Sequence, residues 1–155
     1  PDAVVVQLGA GLDACFERLG GPPVSAWYDL DLPDVIALRR RLLPESGNHY
    51  LEASLFEPGW MEQVARHGKP VLLLLEGVLM YFDEAEVKRW FRLLAEKLPG
   101  AMIVFDMLPV MGLNRAKQHD ALRRMENRRN SNGHWKISKT WRAGSRVCTP
   151  LCAII

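Results

Sequence analysis

The residues Gly9-Ala10-Gly11-Leu12-Asp13 form the first stretch of the chain whose types and spacing can do chemistry. They follow an unbroken apolar run and precede a helical pattern. Two glycines at such a junction let the backbone turn tightly and let a ligand approach the main chain closely. Asp31 stands 20 residues beyond Gly11, at the end of a second apolar run. A carboxylate there can accept hydrogen bonds from both hydroxyls of a ribose, so the two features together point to an adenosine-bearing ligand. Glu76 closes a further run, Val71 to Leu75, and adds a second acidic strand end. Open α/β sheets bind their ligands along that edge.

Two adenosine cofactors compete for this pattern. Gly9, Gly11 and Ala14 satisfy the G-x-G-x-x-A spacing of dinucleotide sites, which favours a nicotinamide cofactor. Asp13 opposes it, because a carboxylate beside a helix start repels the pyrophosphate that the amides should attract. S-adenosylmethionine carries no phosphate and presents an ammonium and a sulfonium, so an acidic pocket suits it better. Asp13 serves equally well as the cap of the helix that follows, and both roles stay open.

The elements that must hold these residues read as alternating strands and helices, the pattern of βαβ units around a parallel sheet. Strands are predicted over Ala3–Leu8, Ser25–Leu30, Tyr50–Leu55, Val71–Leu75 and Ala101–Asp106. The continuous apolar character of the first fits a strand buried on both faces. Helices are predicted from Asp13 to Leu19, from Pro33 with Val35, Leu38 and Leu42 on its apolar face, and over Pro58–His67 with Trp60, Met61 and Val64 buried. Asp83 and Glu86 spell a capping box, and the helix they open should bury Val87, Phe91, Leu94 and Leu98 before Pro99-Gly100 stops it.

Composition removes several function classes. At 155 residues and 48% hydrophobic, the chain can build one sizeable core. The run at Val71 ends at Glu76, far short of the roughly 20 residues a membrane helix needs. Three cysteines, Cys15, Cys148 and Cys152, form no CxxC pair and no metal-ligand cluster, which fits a reducing, cytoplasmic setting. Charge is unevenly spread: residues 1–113 hold 10 Lys and Arg against 16 Asp and Glu, and residues 114–155 hold 10 against 2. A basic tail of this kind can meet nucleic acid, but it carries no recognition motif and few aromatics beyond Trp135 and Trp141, so neither nucleic acid nor membrane is expected as a partner. The chain runs from Pro1-Asp2 straight into a strand without an initiator Met, which reads as a fragment.

Three blocks then carry a family resemblance: Val-Val-Gln-Leu-Gly-Ala-Gly-Leu-Asp, Trp-Tyr-Asp-Leu-Asp-Leu-Pro and Leu-Glu-Gly-Val-Leu-Met-Tyr-Phe. In order and spacing, over roughly residues 3–110, they resemble the leucine carboxyl methyltransferases and their tetracenomycin-type polyketide O-methyltransferase branch. The resemblance implies a Rossmann-like α/β fold, a mostly parallel twisted sheet with helices on both faces, and S-adenosylmethionine as cofactor. It further implies that Gly9 and Gly11 approach the methionine part, that Asp31 holds the ribose, and that Glu76 lines the methionyl end. Ser54-Leu55 falls at the adenine side, where the family often has Asp-Leu. Relatives carry a helix with basic residues before the first strand, and a closing antiparallel hairpin after the fifth; neither is expected here. Residues 1–113 are therefore expected to form the cofactor-binding core, and residues 114–155 a basic, helical, lid-like segment with an irregular tail.

The implied reaction is methyl transfer to a carboxylate or hydroxyl of a small acceptor, polyketide-like or another carboxylate. An ionised carboxylate acceptor needs no general base, whereas a hydroxyl does. Tyr81 is the candidate on the acceptor side, against a plain packing role. His119 and His134 can act as base or anchor, and Arg115, Lys117, Arg123 and Arg124 can attract an anionic acceptor or simply form a solvated face. A nicotinamide-dependent oxidoreductase and an inactive fragment that keeps only cofactor binding are the alternatives.

Overall fold

A computed structural model describes residues 2–43 and 45–106. Five strands form one parallel sheet: β1 (Val4–Leu8), β2 (Ala26–Asp31), β3 (His49–Glu52), β4 (Val71–Leu75) and β5 (Met102–Phe105), in the order β3-β2-β1-β4-β5. Between them run the helices α1 (Cys15–Arg18), α2 (Pro33–Leu42), α3 (Pro58–Ala65) and α4 (Glu84–Lys97), with a 3-10 turn at Leu79–Tyr81. Strand order reverses between β1 and β4, so their carboxyl ends open a crevice at Gly9 and Glu76, the position where such sheets take ligands.

Both faces of the sheet are covered, which explains the unbroken burial of β1. Val4, Val6 and Leu8 pack into the larger core with Trp60, Met61 and Val64 of α3 and Val87, Trp90 and Leu94 of α4. Val5 points the other way, into a cluster with Trp27 of β2 and Phe16 of α1. The α/β, Rossmann-like reading of the sequence is what the chain adopts.

Several local expectations need correction. The third strand is His49–Glu52 rather than Tyr50–Leu55, and Ser54-Leu55 lie in the turn that leads to α3. The first helix is shorter than expected, four residues, and Asp13 does not cap it: the N-cap is Ala14, with no side-chain cap bond. On α2 the buried residues are Ile36 and Arg39, while Leu38 and Leu42 are exposed. Sequence periodicity set aside the charged Arg39, whose burial depends on a carboxylate from another element. On α4 the capping box is complete: Asp83 Oδ1 accepts from the Glu86 amide at 2.8 Å, and Glu86 Oε2 from the Asp83 amide at 2.9 Å. That helix buries Trp90 fully and leaves Phe91 partly covered, stacked edge-on against Trp90 and Phe105.

Candidate functional site

The loop after β1 is built to be gripped from β2. The amides of Gly9 and Ala10 both donate to the Leu30 carbonyl, at 2.8 and 3.1 Å. One residue further, the Gly11 amide donates to Asp31 Oδ2 at 2.7 Å, and the Leu32 amide fills Oδ1 at 2.7 Å. Asp31 is therefore fixed at the lip of the glycine loop, with lone pairs left over for further donors, since a carboxylate offers about four acceptor sites. Gly9 and Gly11 take φ of +67° and +52°, a region costly for residues with a Cβ. At Gly9 space is short as well, because an added Cβ would stand 2.5 Å from Cγ2 of Val78. At Gly11 the same atom would meet nothing within 4 Å, so that glycine faces open space.

A cleft of about 390 Å³ lies beside this loop, lined among others by Gln7, Gly9, Asp13, Arg18 and Glu76. Asp13 accepts from Gln7 Nε2 at 2.8 Å and is ion-paired with Arg18. The Arg18 bond holds the Asp13 carboxyl below the usual range against partial burial, with Gln7 helping. The cleft thus carries two carboxylates and one guanidinium, a less purely acidic lining than Asp13 and Glu76 alone suggest. Gln7 lines the cleft, and its Oε1 is buried with no hydrogen-bond partner. A second cleft, of about 290 Å³, lies between Lys69 and Lys97 near the amino end of β4 and holds none of the candidate residues.

Of the residues singled out in the sequence, Gly9, Gly11, Asp13, Asp31 and Glu76 gather at the carboxyl ends of β1, β2 and β4. Ser54 and Leu55 follow β3. Leu55 is buried in the larger core and accepts at its carbonyl from Trp60 Nε1 at 3.2 Å. The Ser54 amide donates to Glu57 Oε1 at 3.0 Å, and its hydroxyl accepts from the Phe56 amide at 3.4 Å. Tyr81 stands half exposed on the 3-10 turn after β4. His119, His134, Arg115, Lys117, Arg123 and Arg124 lie outside the described residues, as do Cys148, Cys152 and the region of the closing hairpin.

Sequence reasoning missed Arg39, Asp29 and Asn48, which sit beneath the loop. All three are buried. Arg39 Nη2 pairs with Asp29 Oδ2 at 2.8 Å, and Nη1 donates to the carbonyls of Gly11 at 3.1 Å and Asp13 at 2.7 Å. The visible signal was Asp29, an acid two positions before Asp31 within an otherwise apolar strand.

The loop amides bear on which cofactor the edge can hold. Those of Gly9, Ala10, Gly11 and Asp13 are all spent within the chain, the last on the Ala10 carbonyl at 3.0 Å. A pyrophosphate relies on free amides at this position, backed by a helix dipole that four residues supply poorly. Beside the Leu12 amide and the Arg18 guanidinium, the edge offers the acceptors of Asp13, Asp31 and Glu76, suited to ribose hydroxyls and an ammonium group. Among the described residues no cluster of His, Cys, Asp and Glu could hold a metal, and no helix is long and apolar enough to cross a membrane.

Comparison with known proteins agrees with that chemistry. The family model described as leucine carboxyl methyltransferase matches residues 2–95. The tetracenomycin polyketide synthesis O-methyltransferase TcmP of Streptomyces glaucescens is 38% identical over 124 residues, covering 79% of this chain and 46% of its own. A putative S-adenosyl-L-methionine-dependent methyltransferase of Mycolicibacterium vanbaalenii is 33% identical over 115 residues, covering 68% and 38%. The chain thus spans less than half the length of these curated relatives. Among solved structures, LepI in complex with SAM superposes with a TM-score of 0.54 at 22% identity, over 68% of this chain and 26% of that one, a likeness of fold. The nicotinamide-dependent alternative gains no support from these relatives.

Proposed function

The chain belongs to the leucine carboxyl methyltransferase family, and on that premise we propose that it binds S-adenosylmethionine at the carboxyl edge of its sheet and forms the cofactor-binding part of a small-molecule O-methyltransferase. The observation that carries this reading is the Gly11 amide bond to Asp31, which sets a carboxylate beside an open glycine loop at the point where strand order reverses. The residues present fit that cofactor. Asp31 has acceptor sites left for ribose hydroxyls, and Gln7, whose buried Oε1 lacks a donor, lines the same cleft as Asp13 and Glu76.

Each residue then has a task. Gly9 and Gly11 keep the main chain bare so that the methionyl part can lie against it, and Gln7, Asp13 and Glu76 receive its ammonium. Ser54 and Leu55 border the adenine side. S-adenosylmethionine supplies, when bound, a methyl group on a sulfonium ready for in-line displacement. The protein's share is alignment and exclusion of water, the part of such a reaction that positioning accelerates. A carboxylate acceptor requires no base, in keeping with the lack of a His/Asp pair beside the cleft among the described residues. Tyr81, half exposed just past Glu76, is the side chain offered to the acceptor.

The acceptor is a small molecule carrying a carboxylate or hydroxyl, polyketide-like by analogy with the Streptomyces relative. Residues 1–113 hold the cofactor-binding unit, and the excess of Lys and Arg over residues 114–155, which lie outside the described residues, suits an anionic acceptor. The setting is cytoplasmic, in keeping with three cysteines that form no CxxC pair in the sequence.

Thermal unfolding with S-adenosylhomocysteine and with NAD separates the two cofactors. At a hundredfold excess over Kd, a ligand of the native state adds about 2.7 kcal/mol, a rise of several degrees in Tm. The rise is expected with S-adenosylhomocysteine and not with NAD; the reverse result overturns the reading.

A further inference from the structure

A fully buried ion pair lies under the glycine loop, and its hydrogen bonds run toward the proposed cofactor site. Asp29, at the middle of β2, accepts from three donors: Arg39 Nη2 at 2.8 Å, Asn48 Nδ2 at 2.6 Å and Trp27 Nε1 at 2.9 Å. Arg39 and Asp29 have no exposed side-chain surface, and the Tyr50 ring centroid lies 5.0 Å from the guanidinium. Burying two charges is expensive, and such a pair is often no more stabilising than an apolar packing of the same volume. Fold stability is therefore a weak reason for its presence.

The guanidinium's other nitrogen supplies a stronger one. Nη1 donates to the carbonyls of both Gly11 and Asp13. Gly11 is thus held at both ends from β2: its amide directly by Asp31, and its carbonyl through Arg39, itself anchored by Asp29 two residues earlier on the strand. One planar fork meets a carboxylate with one nitrogen and two main-chain carbonyls with the other. A lysine ammonium cannot span those targets in fixed geometry.

We propose that Arg39 is a positioning residue for S-adenosylmethionine: through Asp29 and the carbonyls of Gly11 and Asp13 it fixes the glycine loop, and with it the orientation of Asp31, before the cofactor arrives. This inference rests on the cofactor reading given above. The energetic logic is preorganisation, in which a loop already held in its bound shape spends less binding free energy on being ordered.

The test uses the full 155-residue chain with S-adenosylhomocysteine as the probe. Arg39→Lys keeps a charge for Asp29 and loses the fork. Asp29→Asn with Arg39→Met removes both charges and keeps an acceptor for Asn48 and Trp27, so it serves as the second variant where the lysine one does not fold. Val64→Ala, on the opposite face of the sheet, is a control that lowers stability without touching the loop. Calorimetric affinity should fall about tenfold or more in the Arg39 variants, the fold-change that loss of a charge-assisted hydrogen bond represents. The control should change affinity by no more than about twofold, as distant sites act independently. In the ligand-free protein, amide hydrogen exchange at Gly11 should also accelerate in the Arg39 variants and not in the control. Unchanged affinity in a folded Arg39 variant, or an equal loss in Val64→Ala, overturns the positioning role while the cofactor reading stands. Absence of binding by the wild-type chain overturns the cofactor reading, and the inference with it.

Discussion

Replacing Gly9 by alanine separates two costs that the loop geometry combines. With φ at +67°, a residue carrying a Cβ pays about 1–2 kcal/mol for left-handed backbone. The new methyl group would also stand 2.5 Å from Cγ2 of Val78, a side chain packed against the larger core, and overpacking of that kind costs about 1–3 kcal/mol. Together they predict a loss of about 2–5 kcal/mol. Gly11→Ala provides the comparison: its φ is +52°, but an added Cβ meets open space, so only the backbone share of about 1–2 kcal/mol applies. Adding Val78→Ala to Gly9→Ala should recover the steric share, a coupling of about 1–3 kcal/mol in a double-mutant cycle. Urea unfolding of the four variants and the wild type measures every term. Equal losses for the two glycine variants, or a coupling of zero, would refute the idea that Val78 closes the space behind Gly9.

Other perturbations follow from the same contacts. Asp83→Ala removes the side-chain half of the capping box, leaving the Glu86 carboxylate on the backbone amide of residue 83, and should lower stability by about 0.5–2 kcal/mol in urea melts, with Asp83→Asn losing much less. Trp27→Phe removes a donor from the buried Asp29 carboxylate and should cost about 1–3 kcal/mol more than Trp90→Phe, whose indole nitrogen is buried without a partner. Asp13 has its carboxyl pKa lowered by Arg18, so it adds stability above the unfolded value of about 3.9 and loses it as pH falls through the lower folded value. Both partners are partly exposed, so Asp13→Asn should flatten the acid limb of urea midpoint against pH by less than about 1 kcal/mol.

Features encoded by neighbouring residues could be read from the sequence alone. The strand at Val71–Leu75, the capping box at Asp83 and the glycine loop each depend on a short stretch of chain, and each stands where its residues place it. Asp31 was legible because the spacing from strand to strand in a βαβ unit is itself regular. Failures occurred where a distant partner decides. Arg39 spoils the apolar pattern of α2 until Asp29 neutralises it from β2, and Leu38 and Leu42, which complete a tidy helical stripe, stay in solvent. The third strand was placed too late because Ala53 to Leu55 continue an apolar tendency, whereas pairing with β2 ends at Glu52, opposite Asp31. Trp90 was overlooked beside Phe91, since one helical turn offers both aromatics to the core and only tertiary packing chooses between them.

Titration of the wild-type chain and of Asp31→Ala with S-adenosylhomocysteine bears most directly on the cofactor assignment. Saturable binding by the wild type is expected, weakened by about 1–3 kcal/mol once the carboxylate that should accept from the ribose is gone. No heat of binding from the wild type, or the same affinity in both proteins, would contradict the account.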